Sequence, residues 1–277
     1  MNASTNNTPV QSLEQLISIF GQEVGTTMFN NMNADSAGSA ARAPFTFIKK
    51  ISQMGSELGE WGSFVINAKF EKNDAGERVI ADKGFNLGKN FEFIIVTTNY
   101  YYSRWNESTS RTETSNIFST LSGIKTAVDS YKGTPLPADK EAKKAAGWKM
   151  VKQLGVLVKA DGKWEQAILE VSGMMYFTLG QVLDNKPNNG VLSGVVDFKT
   201  LVKTKGATSF VVCDEKASTF NPLPSDLFTD KEVTTKLSEI TTKMGEYRDA
   251  KQYTAGASEE TPSSAPKQEE SEDELGW

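Results

Sequence analysis

Apolar residues recur at helical spacing near both ends of the chain. In the segment 12–32 they lie three or four residues apart, and Ser12 begins a capping box that Gln15 completes. A second stripe in the segment 229–253 contains Val233, Leu237, Ile240, Met244 and Tyr247. The pattern therefore predicts one helix near the start of the chain and a longer one before its last residues.

Between these helices the pattern changes to β-branched and aromatic residues, which predict strands in 43–51, 61–72 and 91–105. Two hairpins are predicted, one turning at Ala160-Asp161-Gly162 and one near Lys205-Gly206. A short helix is predicted between the hairpins.

Less regular segments connect these elements. Residues 104–116 form a polar stretch typical of a surface loop, and residues 136–148 indicate a short basic helix or an exposed loop. The order predicts a mainly β fold with flanking helices, either a small antiparallel barrel or a sandwich. We divide the chain into an N-terminal arm and helix (1–44), a β-rich domain with a C-terminal helix (45–253) and a disordered acidic tail (254–277).

The amino-acid composition limits the kinds of catalytic and metal site that the chain can form. The chain has no histidine and one cysteine, Cys213, so it can form neither a His-dependent catalytic triad nor a Cys/His zinc site. Phosphate-loop and dinucleotide motifs are absent from the sequence. We therefore expect no enzyme, no metal and no cofactor, with Cys213 buried and inert. The polar first ten residues and the lack of a long apolar run favour a cytoplasmic protein that does not enter a membrane.

The net charge of −5 is unevenly distributed. Residues 257–277 contain seven acids and one base, which leaves the first 256 residues with 29 bases and 28 acids. Residues 84–159 alone contain eleven bases and six acids. The first 256 residues therefore contain a basic middle segment, whereas the C-terminal tail is acidic.

The stretch "NYYYSRWN" (99–106) closes the strand that begins near Phe91. Because side chains alternate along a strand, one face carries Tyr100, Tyr102 and Arg104, and the other carries Tyr101, Ser103 and Trp105. Aromatic rings beside cations on an open sheet bind single-stranded nucleic acid by stacking on bases. The alternative is an aromatic core strand, and the sequence does not say which face is open.

Basic residues next to aromatic ones recur outside this stretch. Together they suit a positively charged groove, although lysine at a strand edge also prevents aggregation. The further candidates for nucleic-acid binding are Lys49, Lys50, Lys69, Lys89, Arg111, Lys149, Lys152 and Lys203.

The last nine residues, "EESEDELGW", combine acidic groups with an aromatic end. Charge keeps a tail soluble without any aromatic residue, so the combination indicates a segment that binds a partner. The candidate partner-binding residues are Glu269, Glu270, Glu272, Asp273, Glu274, Leu275 and Trp277.

With these features the chain resembles the bacteriophage single-stranded DNA-binding proteins, which have an OB-fold body and an acidic C-terminus ending in an aromatic residue. The resemblance implies an OB-like antiparallel barrel that binds and protects single-stranded DNA in replication, recombination and repair. It also implies recruitment of replication or recombination proteins through the tail. Trp277 stands where the family usually has Phe.

Two other interpretations stay open. A virion or assembly protein with a β-sandwich core would also explain the polar composition, and the apolar stripe of the N-terminal helix would suit a contact in a homo-oligomer. A nuclease that uses carboxylates and a divalent metal is the third, although no acidic motif in the body requires it.

Overall fold

A computed structural model describes residues 46–51, 57–74, 78–126 and 136–251, together with five isolated positions between residues 14 and 26. Those five positions are helical, in agreement with the helix predicted there. The rest of the N-terminal arm and the whole acidic tail lie outside the described residues.

Twelve strands and four helices occupy the described ranges. The strands are β1 (Lys49–Lys50), β2 (Phe64–Ile66), β3 (Lys69–Lys72), β4 (Arg78–Asp82), β5 (Phe85–Gly88), β6 (Asn90–Asn106), β7 (Arg111–Thr114), β8 (Lys149–Ala160), β9 (Lys163–Ser172), β10 (Val195–Lys205), β11 (Thr208–Cys213) and β12 (Thr219–Asn221). The helices are α1 (Leu121–Thr126), α2 (Lys140–Ala145), α3 (Gly173–Leu183) and α4 (Lys231–Ala250), and a 3₁₀ turn covers Pro187–Gly190.

The main sheet has the strand order β11-β10-β6-β8-β9, with all neighbours antiparallel. The strand β10 follows β9 in sequence but returns to lie beside β6, which is the Greek-key order. Short strands extend it, since β7 pairs with the end of β6 and β12 with the start of β10. The sheet curls into a half-barrel.

Both predicted hairpins are confirmed. The β8–β9 turn consists of Asp161 and Gly162, with φ angles of 48° and 75°. Two successive positive φ angles are typical of the tight turn that Asp-Gly favours. The β10–β11 turn likewise contains Gly206 at a φ of 61°.

A smaller sheet, β1-β2-β5, packs against the side of the main sheet that carries Phe91 and Phe93, which we call the concave side of the half-barrel. It is attached to β9 because the Ile48 N–H donates to Ile168 O (2.7 Å) and the Ile168 N–H donates to Thr46 O (3.0 Å). Apolar side chains from both sheets fill the space between them. Four rings at the centre of this core lie with neighbouring centroids 5.1–5.8 Å apart: Phe64, Phe91, Phe93 and Phe198.

The strand β6 contains a bulge that decides which side chains face this core. Its register against β8 shifts between Ile95 and Thr97. Val96 packs against the convex-side cluster, and a Cβ added at Gly155, opposite Thr97, would meet both Thr97 and Ile240. Two successive residues of β6 thus point to the convex side. Beyond the bulge the even-numbered residues face the concave side.

The C-terminal helix α4 covers the convex side of the main sheet. Asp230 caps it by accepting hydrogen bonds from the N–H groups of Glu232 (2.8 Å) and Val233 (3.4 Å). The predicted apolar stripe packs on β6, β8 and β9. This second buried cluster includes Ile94, Val96, Leu157, Ile168, Val233, Leu237, Ile240 and Met244.

The mainly β class with flanking helices is therefore confirmed, as are the helices predicted after β9 and over 229–253. The segment 136–148 contains a helix, α2. One expectation is wrong: the polar stretch 104–116 is not a loop throughout, because β6 and β7 form a hairpin there. Its polarity reflects side chains that pair with each other.

Leu237→Ala tests the packing of α4, because Leu237 is fully buried between this helix and the sheet. We expect the free energy of unfolding to fall by about 2–5 kcal/mol, measured by urea denaturation. Thr235→Ala, on the exposed face of the same helix, should change it by about 0.5 kcal/mol or less. Equal small effects would show that α4 does not pack on the sheet.

Candidate nucleic-acid interface

The strands β6 and β8 continue beyond the barrel core and build a second packed region with β7, α1 and α2. We call residues 99–126 and 136–152 the lobe. Its small apolar core lies on the concave side of the β6–β8 extension. The members of this core are Tyr100, Tyr102, Phe118, Leu121, Ile124, Leu136, Ala146, Trp148 and Met150.

The lobe is basic. It contains eight basic and four acidic residues, a net charge of +4. The bases are Arg104, Arg111, Lys125, Lys140, Lys143, Lys144, Lys149 and Lys152, and the acids are Glu107, Glu113, Asp139 and Glu141. Asp139 also caps α2 by accepting a hydrogen bond from the Ala142 N–H (2.7 Å).

Cations lie over aromatic rings along the inner, concave face of the lobe. This is the face predicted to carry Tyr100, Tyr102 and Arg104 together, and the structure does place them so. Such pairs gain from the electron-rich face of the ring, more so when water is excluded. The distances to the ring centroids are 4.6 Å for Arg104 on Trp148, 5.4 Å for Lys143 on Tyr102 and 5.8 Å for Lys152 on Tyr100.

These three cations differ in their polar partners. The Nε of Arg104 lies 2.6 Å from Oε2 of Glu113, and the Nζ of Lys143 donates to the carbonyl of Ala138 at 3.1 Å. Lys152 is only 9% exposed, yet among the described residues its Nζ makes no hydrogen bond and no ion pair. A buried lysine without an anionic partner is costly, because burial removes much of the hydration of its ammonium group.

The environment shifts the pKa values of this face. Burial lowers the pKa of the Lys152 ammonium to about 8. Burial is also the main reason that the pKa of Tyr100 is raised to about 12. Lys152 is therefore a group whose charge changes close to neutral pH, beside a phenol that stays protonated.

The outer, convex face of the extension begins with a buried tyrosine. The Tyr101 hydroxyl donates to Oε1 of Glu170 (2.6 Å), which also accepts from Nε2 of Gln153 (2.9 Å). Tyr247 of α4 packs against Tyr101. Tyr101 is thus not available for stacking on a base.

Further along the outer face, the side chains are exposed to solvent. Ser103 lies opposite Lys149, and Trp105 follows two residues later on β6, so Lys149 and Trp105 share this face. Lys149 is exposed, and Trp105 is 45% exposed. Among the described residues, few large apolar side chains are so open. The outer face therefore presents an aromatic ring and a cation to solvent.

Eight of the thirteen predicted nucleic-acid-binding residues lie in the lobe, where the side chain of Arg111 is not described. The other five lie elsewhere: Lys49, Lys50, Lys69, Lys89 and Lys203. The Nζ of Lys89 is 2.8 Å from Glu60, and that of Lys203 is 3.4 Å from Glu215. Lys49 lies over the Phe70 ring at 4.4 Å. These five lie on β1, β3 and β10 and between β5 and β6, outside the lobe. The candidate partner-binding residues 269–277 lie outside the described residues.

The candidate set omitted Trp148 and Lys143, which complete the inner face of the lobe. A partial signal was present in "GWKMVK", where Trp148 is flanked by bases. Nothing in the sequence pairs Trp148 with Arg104, because that contact depends on the register of β6 and β8.

In comparisons with known proteins, no family model, no curated protein and no solved structure matches the chain. Within the described ranges, no group of three or more His, Cys, Asp or Glu side chains is arranged to hold a metal ion. No helix in these ranges is both long and apolar enough to span a membrane.

Lys152→Met tests the cost of the unpaired ammonium. We expect the free energy of unfolding at pH 7 to rise by roughly 1–3 kcal/mol, since Met keeps the length of the side chain without its charge.

The direction of this change in unfolding free energy follows from the pKa of Lys152. Folding lowers it from 10.5 to about 8, so the folded state holds this proton less well and the penalty is complete below pH 8. The stabilisation by Lys152→Met should therefore become smaller as the pH rises towards 10. Urea denaturation of both proteins at pH 7 and at pH 10 would measure this. A loss of stability at pH 7 would show that the ammonium is compensated.

Proposed function

We propose that the chain binds single-stranded DNA without strong sequence preference and that the lobe is its main contact surface. The observation that carries this proposal is Trp105, an exposed ring that shares a sheet face with Lys149 in a region of net charge +4. Bases stack on such a ring whatever their identity, and the cations attract the phosphates. The proposed role is protection of single strands, without catalysis, in replication, recombination and repair.

The strand order supports an OB-like barrel as the finer description of the fold. The strands β6, β8, β9 and β10 form a Greek key, and β11 adds a fifth strand through a hairpin. Five strands in a partly open Greek-key barrel define the OB-fold, which binds oligonucleotides with its second and third strands and two of its loops. In this assignment the lobe is largely the connection between the first and second strands.

Helix α4 changes which part of such a barrel is open to DNA. It lies on the convex face of β8 and β9, with Leu237 and Ile240 fully buried. A strand of DNA cannot stack on that face unless α4 leaves, and the apolar area beneath the helix opposes this. The path of the DNA would therefore run over the lobe rather than across the middle of the sheet.

The charge distribution supports the proposed role of the tail. Residues 257–277 carry seven acids and one base, so they resemble a phosphate backbone in charge. We propose that the tail recruits replication or recombination proteins, with Trp277 as an apolar anchor. In the absence of DNA it would also compete for the basic lobe.

Trp105→Ala should weaken binding to labelled oligo-dT by about tenfold, because base stacking on an aromatic ring is worth roughly 1–3 kcal/mol. Fluorescence anisotropy at low salt would measure it. Phe85→Ala is the matched control, since Phe85 is 40% exposed on β5, outside the lobe, and this change should leave affinity unaltered. Equal effects of the two changes would count against the lobe, and no binding by the unaltered chain would refute the function.

Removal of residues 269–277 should preserve or strengthen oligo-dT binding at low salt, because an acidic competitor is lost. Trp277→Ala, which keeps the acidic side chains, should leave oligo-dT affinity unchanged. Both variants should lose the capture of a purified replication or recombination partner in pull-down assays. If the truncation abolishes DNA binding, the tail does not have the assigned role.

A second candidate is an assembly protein, and the outer side of α3 favours it. Met174 and Phe177 are 47% and 62% exposed, and they lie one turn apart on this helix. Apolar groups so placed are typical of protein–protein contacts. Assembly into large particles without affinity for oligo-dT would support this function over DNA binding.

A further inference from the structure

Lys152 has a chemical environment that neither the barrel nor the proposed stacking surface explains. Its side chain is 9% exposed and lies on the inner face of the lobe, with the Tyr100 ring 5.8 Å from its Nζ. Buried ammonium groups normally have an anionic partner. Here the described residues supply none.

The surroundings of Lys152 add positive potential rather than removing it. Lys152 lies opposite Val171 of β9, and α3 begins two residues later at Gly173. The first turn of α3 contains no acidic residue, and its N-cap Ser172 makes no side-chain capping hydrogen bond. The free N–H groups of such a turn carry partial positive charge. The register of β8 and β9 thus places Lys152 across from a residue two positions before α3, and both Lys152 and the start of α3 carry positive charge.

The other titratable groups on this side do not neutralise Lys152. Tyr176 of α3 interacts with Tyr100, and burial raises the pKa of both phenols, so they stay uncharged near neutral pH. Lys143 of α2 is a further cation. Glu113 of β7 is a carboxylate of this region, and Arg104 already pairs with it at 2.6 Å.

The site is not fully closed to solvent. The Nζ of Lys152 has no hydrogen-bond partner among the described residues. It is nevertheless not one of the polar atoms that are completely shielded from solvent and also lack a hydrogen bond. It therefore keeps some contact with solvent. An anion, including a phosphate of a nucleic-acid strand, can reach it from that side.

We propose that Lys152 and Tyr100 form a phosphate-binding subsite at the junction of the lobe and α3. The Lys152 ammonium would donate hydrogen bonds to the oxygens of one phosphate group, while the Tyr100 ring, whose hydroxyl already hydrogen-bonds with Thr98, forms one side of the subsite. Its source is a nucleotide of the strand bound by the lobe, so this proposal rests on the proposed function, although free phosphate has the same chemistry. A phosphate there supplies the missing negative charge, which explains why a lysine occupies a buried position that Met would fill.

The pH dependence of binding provides the test. Because the pKa of Lys152 is about 8, the subsite is cationic at pH 7 and largely neutral at pH 9.5. Oligo-dT affinity of the full chain should fall about tenfold across this range at constant ionic strength, as a charged hydrogen bond is lost. Lys152→Met should bind weakly at both pH values. Lys152→Arg, which stays charged, should retain affinity at pH 9.5. Lys163→Met, which changes an exposed lysine outside the lobe, should keep both the affinity and the pH dependence of the unaltered chain.

Thermal denaturation in inorganic phosphate, against chloride at equal ionic strength, identifies the source. A rise in Tm that Lys152→Met abolishes, with unchanged oligo-dT affinity, would support a subsite for free phosphate and reject the strand as its source. If oligo-dT does not bind at all but phosphate still raises Tm through Lys152, the DNA-binding function fails and the subsite remains. If Lys152→Met matches the unaltered chain in both assays, the subsite is refuted.

Discussion

The bulge in β6 is the constraint on which the rest of the structure depends. One strand has to serve two packed regions, the barrel core with Phe91 and Phe93 and the lobe with Tyr100 and Tyr102. Without the extra residue near Thr97, strict alternation would turn Tyr101 inward and Tyr102 outward. The register shift lets odd-numbered residues fill the barrel and even-numbered ones fill the lobe. A single local irregularity thus allows seventeen residues to remain one strand.

The same shift explains how much of the candidate site could be predicted. Alternation correctly separated the aromatic and basic residues of 99–106 into two faces, because the period of a strand is fixed. It could not say which face is open, since that depends on the bulge, on α2 and on Tyr247 of α4. Neither face is open along its whole length. The inner face, with Tyr100 and Tyr102, is covered by the rest of the lobe. On the outer face Tyr101 is buried, and Trp105 is the ring that remains exposed.

Local patterns predicted the β class, both hairpins, α3 and α4, because each depends on residues close in sequence. Contacts between distant residues were not accessible in this way. Arg104 on Trp148 and the Greek-key return of β10 beside β6 are examples, and Lys152 shows the difficulty most clearly. In the sequence it is one more lysine beside apolar residues, whereas in the fold it is a buried charge. Burial of a polar side chain is set by tertiary packing, which a single sequence does not reveal.

A row of polar side chains lies beneath the last turns of α4. Nδ2 of Asn99 lies 3.4 Å from both the Gln153 Oε1 and the main-chain oxygen of Met244, and Gln153 and Tyr101 both donate to Glu170. Opening the end of α4 would expose these buried groups together with the base of the lobe. In the terms of hydrogen exchange, the two regions should form one cooperative unit, with amides that open together. A ligand held by the lobe would then slow exchange in a helix that it never touches.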